Sequence, residues 1–177
     1  MTPKRARKAK AARKPARKAA PKAAALIEVM VQSPRWKKQP RAAAIVRNAV
    51  AAAAKAASIR PALAIVLTDD SRIRTLNREW RGFDKPTNVL SFPAANTRAA
   101  GSLGDVIIAF QTVAREAKEE GKPIKHHLAH LAVHGFLHLL GYDHETDRDA
   151  RKMERLEVEI LKGLGVPDPY ADQESAQ

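Results

Sequence analysis

The eleven residues HGFLHLLGYDH, His134 to His144, constrain this chain more than any other stretch. They carry the pattern H-x3-H-x5-H, with Gly141 between the second and third histidines. His126, His130, His134 and His138 recur every four residues, so one helix would carry them as a stripe on one face. A single ion cannot take the whole stripe. Residues eight apart are separated by about 12 Å along a helix axis, whereas a zinc–nitrogen bond is about 2 Å long. Two neighbours are the limit, and a third ligand must come from outside the helix. Gly141 offers the route, because glycine reaches the left-handed conformation that ends a helix. The turn through Tyr142 and Asp143 then brings His144 back, which selects His134, His138 and His144 as the ligand set. Three imidazoles on zinc leave one position open, the arrangement of a catalytic site, and an ion so held makes a nucleophile available at neutral pH. The competing reading is an amphipathic helix whose histidines hold nothing. His130 fits either a group that orients a ligand from behind or a core histidine. His126 and His127 are expected to face solvent or lie near a loop.

The same spacing, with Gly141, is that of the metzincin proteases. There a glutamate follows the first histidine and acts as general base. Here Gly135 stands in its place and cannot move a proton, which disfavours peptide hydrolysis by that route. Asp143 is a neighbouring carboxylate, but adjacency to a ligand does not place it at the reacting water.

Periodicity supplies the frame. Leu26–Gln32 alternates and reads as a strand, and Pro34 and Pro40 bound a loop. The alanine-rich run Arg41–Ala57 reads as a helix. Ala62–Thr68 is a buried strand, followed by a helix to about Trp80 that Thr68, Asp69 or Asp70 can cap. Ile73, Leu76 and Trp80 share that helix's apolar spacing. Asn88–Phe92 and Asp105–Phe110 are short strands, and Gln111–Glu120 is helical. Pro123 opens a helix that runs to Leu140. Thr146–Leu164 is the last helix, with Met153, Leu156, Val158, Ile160 and Leu161 partly inward. The fold class is α+β, a small mixed sheet with surrounding helices and the metal site at the end of a central helix.

Charge is unevenly placed. The chain has 177 residues and a net charge of +13, and residues 1–24 hold ten Lys or Arg and no acid. The remaining 153 residues carry 22 basic and 19 acidic side chains, a net of +3. The tail, residues 1–24, is therefore expected to be disordered. It would attract phosphate backbones through counterion release or serve only solubility. No apolar segment follows it as in a secretory signal, and a transit peptide would be Ser-rich, whereas the first serine is Ser33. No apolar run is long enough to span a bilayer. We expect a cytoplasmic protein with a single metal-dependent hydrolase domain over residues 25–168 and a flexible tail over 169–177. There are no cysteines, which excludes disulfides and cysteine-ligated metal. Aromatic content of 5% argues against a large base-stacking platform.

Taken with RGFDKPTNVLSFP and LGDVIIA, the motif HGFLHLLGYDH resembles the YbeY family of metal-dependent endoribonucleases. The likeness is strongest over residues 60–164. It implies a sheet of about four strands and one zinc ion per chain on His134, His138 and His144. It also implies single-strand RNA cleavage in ribosomal RNA maturation and ribosome quality control. Ribosomal RNA and the small ribosomal subunit are the implied partners. The arginine before the G-x-D-x-P-T loop is Arg81, implied to act in RNA binding or cleavage. A guanidinium can grip phosphate oxygens bidentately, although a surface position or a salt bridge with Asp84 would equally occupy it. Lys85, Arg78 and Arg98 are further candidates for phosphate contacts. Thr87, Asn88 and Ser91 read as loop and strand stabilisers, and Asp105 has no assigned chemistry. Two other functions fit the motif: a zincin-like protease, and a non-enzymatic assembly factor that binds ribosomal RNA around a structural zinc.

Overall fold

The computed structural model describes residues 26–95 and 101–171. The basic tail, Arg98 and residues 172–177 lie outside the described residues. Four strands form one mixed sheet: β1 (Leu26–Val31), β2 (Ala62–Thr68), β3 (Val89–Pro93) and β4 (Gly104–Ala109). Their spatial order is β1-β2-β4-β3. β1, β2 and β4 run parallel, and β3 pairs antiparallel with β4 at the edge. Five α-helices surround the sheet among the described residues: α1 (Ala42–Ala56), α2 (Asp70–Arg81), α3 (Phe110–Glu119), α4 (Ile124–Leu139) and α5 (Asp147–Gly163). These boundaries agree with the sequence expectation to within one residue at each end. None of the described helices is long and apolar enough to cross a membrane.

β2 reads as an almost continuous apolar run because both its faces are covered. Leu63, Ile65 and Leu67, with Val106 and Ile108 of β4, face the large core shared with α1, α4 and α5. Val66, Ile107 and Leu90 face the opposite side and pack with Ile73 of α2. The sheet therefore separates α2 from the histidine helix.

α4 is the central element, with ten of its sixteen residues buried. A helix apolar on more than one face belongs between layers. One side meets Val46, Ala49, Val50 and Ala53 of α1 within the same core, whose short side chains permit a close approach. Another side meets the sheet at Gly135. A Cβ there would lie 2.6 Å from Val106 Cγ1 and 3.2 Å from Ser91 Oγ. The Ser91 hydroxyl donates to the Gly135 carbonyl at 2.9 Å. Ser91 and Val106 are register partners on β3 and β4, so glycine is what lets the helix rest on this spot. The position that carries a glutamate in metzincins is here a packing contact with no room for a side chain.

Two local readings change. The segment after β1, expected as loop, contains a 3₁₀ turn over Pro34–Lys38 capped by Ser33. It carries Trp36, only 2% exposed, whose indole N–H donates to Thr68 O at 2.8 Å. A buried anchor with a satisfied N–H fixes the chain more firmly than proline punctuation suggests. Trp80, placed by spacing on the inward face of α2, is instead 70% exposed. α2 ends one residue later at Arg81, and Trp80 meets Phe92 with ring centroids 6.0 Å apart at the mouth of a cavity that Val66, Leu76 and Ile107 also line.

Candidate metal centre

His134 and His138 lie one turn apart on α4, with Nε2 atoms 3.1 Å apart. The helix ends at Leu139, and Gly141 adopts φ +89°. Its N–H donates to His138 O at 3.0 Å, and the Tyr142 N–H donates to Leu137 O at 3.1 Å. These bonds satisfy carbonyls that a helix end leaves open. The chain then returns, and the His144 ring centroid sits 5.1 Å from His134 and 5.2 Å from His138. One ligand nitrogen from each of the three rings lies within 4.8 Å of the others. His134 and His138 are half-buried and His144 is exposed, so the group opens to solvent on the His144 side.

The far side of each helical imidazole is fixed. His138 Nδ1 lies 2.8 Å from Tyr142 O. A carbonyl only accepts, so Nδ1 donates and Nε2 keeps its lone pair. The turn that delivers His144 thus also orients His138. His134 Nδ1 lies 2.6 Å from Glu157 Oε1. Glu157 is fully buried, on the inward face of α5. Burial pushes its carboxyl up, but hydrogen bonds from His130 and His134 outweigh this and hold it at about 2. The carboxylate is ionised and accepts, so His134 Nδ1 also donates and its Nε2 faces the site.

The second oxygen of Glu157 is equally engaged. It accepts from the Tyr170 hydroxyl, and His130 Nε2 sits 3.1 Å away. Burial and the charge of Glu157 raise the Tyr170 phenol, which stays protonated and donates. Pro169 and Tyr170, the first residues of the expected C-terminal tail, therefore make defined contacts, since Lys122 Nζ also donates to Pro169 O at 2.9 Å.

A metal ion fits this donor set. Two imidazole lone pairs 3.1 Å apart repel each other unless a proton or a cation lies between them. Burial, and then the neighbouring His134 imidazole, lowers the His138 pKa, which disfavours the proton. Three imidazole nitrogens are a common set for zinc. The overlapping group His130, His134 and Glu157 also has ligand atoms within 4.8 Å, but its members already hydrogen-bond one another and Tyr170. It orients His134 from behind, as carboxylates do for metal-bound histidines.

One expectation about the remaining histidines needs revision. His127 does not face solvent: it is 6% exposed, and its Nε2 lies 2.8 Å from Glu116 Oε2. The α4 packing against α3 buries that side of the helix, which a four-residue stripe of histidines does not reveal. Asn88 Nδ2 donates to the same Glu116 oxygen at 2.9 Å. Burial raises the Glu116 carboxyl, but the His127 and Asn88 bonds prevail and lower it below 4.5. His126, the third residue of α4, lies beside the loop before that helix, as expected, and is half-buried. Asn88, Glu116, Lys122, His130, His134 and Tyr170 help line a cavity of about 460 Å³ beside the three-histidine group.

Arg81, Arg78 and Lys85 are all exposed, and none lines that cavity. They sit on the end of α2 and the loop after it, across the sheet from α4. Asp84 does not pair with Arg81. Arg74 grips it through both oxygens at 2.9 and 3.0 Å, and Arg78 Nη1 lies 3.6 Å away. Among the described residues Arg81 makes no ion pair.

Fold and site together define a class: an α+β protein with a three-histidine group able to hold a metal ion at the end of its central helix. Comparison with known proteins makes this specific. The family described as endoribonuclease YbeY matches residues 30–165, and the chain belongs to that family. A curated relative from Bradyrhizobium diazoefficiens, named endoribonuclease YbeY, is 54% identical over 158 residues, covering 84% of this chain and 86% of its own. One of the same name from Rhodopseudomonas palustris strain BisB18 is 56% identical over 156 residues, covering 83% and 93%. The solution structure of TM1509 from Thermotoga maritima shares the fold, with a TM-score of 0.54 and 23% identity over 85% of this chain and 93% of that one.

Proposed function

We propose that this protein is a zinc-dependent endoribonuclease that cleaves single-stranded RNA in ribosomal RNA maturation and ribosome quality control. Its catalytic domain spans residues 25–168, and it works in the cytoplasm with the small ribosomal subunit as partner. One observation carries the reading: the Nε2 atoms of His134 and His138 converge while Glu157 and Tyr142 hold both Nδ1 atoms away. His134, His138 and His144 bind one zinc ion per chain. The ion supplies Lewis acidity toward the phosphodiester and a nucleophile at neutral pH. Glu157 keeps His134 in the ligating tautomer, and Gly135 contributes no proton transfer. Arg81, free of a carboxylate partner among the described residues, offsets phosphate charge, and Lys85 and Arg78 extend the basic surface. Family membership supports the RNA substrate, and the open His144 side supports a site that turns over.

Elemental mass spectrometry of untagged wild type and His144→Ala is the direct test. About one zinc per chain in the wild type, lost in the variant together with RNA cleavage, is expected. Equal cleavage by both preparations would remove the three histidines from the reaction.

A further inference from the structure

We propose that Trp80 and Phe83 form a base-stacking platform for single-stranded RNA, flanked by Arg78, Arg81 and Lys85. This rests on the nuclease reading and names where its substrate strand is held. Aromatic content is low, but its placement is selective. Trp80 is 70% exposed and Phe83 58%, and they are the exposed aromatic side chains among the described residues. Two exposed aromatics three positions apart, with Arg81 between them, combine π-faces with phosphate-binding charge. That combination is how proteins hold single strands with little regard to sequence. Lysine is depleted at protein interfaces, whereas here Lys85 lies over the Phe83 ring itself.

The platform is built rather than loose. Gly82 turns the chain at φ +77°, and its N–H donates to Arg78 O at 3.1 Å. The Phe83 N–H donates to Asn77 O at 3.3 Å. Asn77, only 4% exposed, donates from Nδ2 to Lys85 O at 2.9 Å. The bidentate Arg74 grip on Asp84 closes the loop between them. The Trp80 indole meets Phe92 in a T-shaped contact, with ring centroids 6.0 Å apart and planes at 64°, and stays largely open to solvent. Lys85 Nζ lies 5.9 Å from the centroid of the Phe83 ring. From Phe83 the loop runs to Asn88, a span of at most roughly 18 Å. Asn88 lines the cavity that His134 also lines. A strand stacked on Trp80 and Phe83 can therefore follow this loop round the sheet edge to the histidines.

Tryptophan fluorescence tests this directly, because the other tryptophan, Trp36, is 2% exposed. Full-length protein is titrated with a short unstructured 2′-O-methyl oligoribonucleotide and with the same sequence as a duplex. Quenching by the single strand, exceeding that by the duplex, is expected. By anisotropy of labelled RNA, Trp80→Leu and Phe83→Leu should each weaken single-strand binding about tenfold, with an unchanged salt slope. Arg81→Ala should instead make the slope shallower. The basic tail contributes equally to every variant. Absence of quenching, or unaltered affinity in both aromatic variants, overturns the platform. If the wild type holds zinc and cleaves RNA while those variants bind normally, only the platform fails. If they lose binding but the wild type cleaves nothing, the platform stands and the nuclease reading fails.

Discussion

Glu157 is the residue on which the site turns. It is a fully buried carboxylate receiving His134 Nδ1 on one oxygen and Tyr170 and His130 on the other. Groups that orient a metal-bound histidine typically contribute 10–100-fold to metal affinity. Glu157→Gln should therefore weaken zinc binding by about that factor, measured by chelator competition. Tyr170→Phe, which deletes one donor, should fall at the lower end. Unchanged affinity in both would reduce Glu157 to a packing role. The residue was within reach of the sequence. It falls four after Met153 and three before Ile160, an acid on an otherwise apolar stripe. Tyr170 was not, because only the tertiary structure shows what the segment after α5 meets. The three-histidine group itself was legible, since helical spacing and one glycine restrict three histidines to few arrangements. Glu116 permits a test of pH dependence. Its pKa is lowered from 4.5 in the folded state, so its contribution is complete above that value and is lost as pH falls through the folded pKa. Glu116→Gln should be less stable than wild type at neutral pH, and urea midpoints should converge as the medium is acidified through that range.

At the level of elements, the contact between α4 and the sheet is the most exacting. Gly135→Ala forces a Cβ within 2.6 Å of Val106 Cγ1. Overpacking of this kind costs about 1–3 kcal/mol, and alanine's better helix propensity returns at most about 1. Urea denaturation should show net destabilisation. Adding Val106→Ala should recover part of it, so that the double variant loses less than the two singles together. Equal stability of Gly135→Ala and wild type would mean the helix can lift off the sheet without penalty. Strands and helices were readable because apolar periods of two and 3.6 differ plainly in this chain. Trp80 was misassigned because a three-four spacing places a residue on a helix face without saying whether anything covers it there. Trp36 escaped notice because prolines mark irregular backbone without saying whether a side chain within it is buried.

The whole molecule divides its charge from its chemistry. Without residues 1–24 the net charge falls from +13 to +3. Deleting those residues should leave zinc content unchanged and weaken RNA binding, with a shallower dependence on salt. An unaltered salt slope would show the tail to be a solubility device. The expected fold class and its four-stranded sheet match the structure, since short connections and one apolar face per element leave few arrangements. The route from α2 across the sheet edge to the histidines was not readable, because it depends on strand order.

Glu157 stands on α5 and grips a histidine of α4, while Tyr170 fastens the chain beyond α5 to the same carboxylate. The site is therefore a buckle between the last helix and the rest of the protein. Ion binding and docking of α5 are reciprocal: whatever the ion adds to the hold on that helix, the docked helix returns to the hold on the ion. Chelation should loosen the C-terminal end first, and a partner that prises α5 away would discharge the metal without ever touching the three histidines.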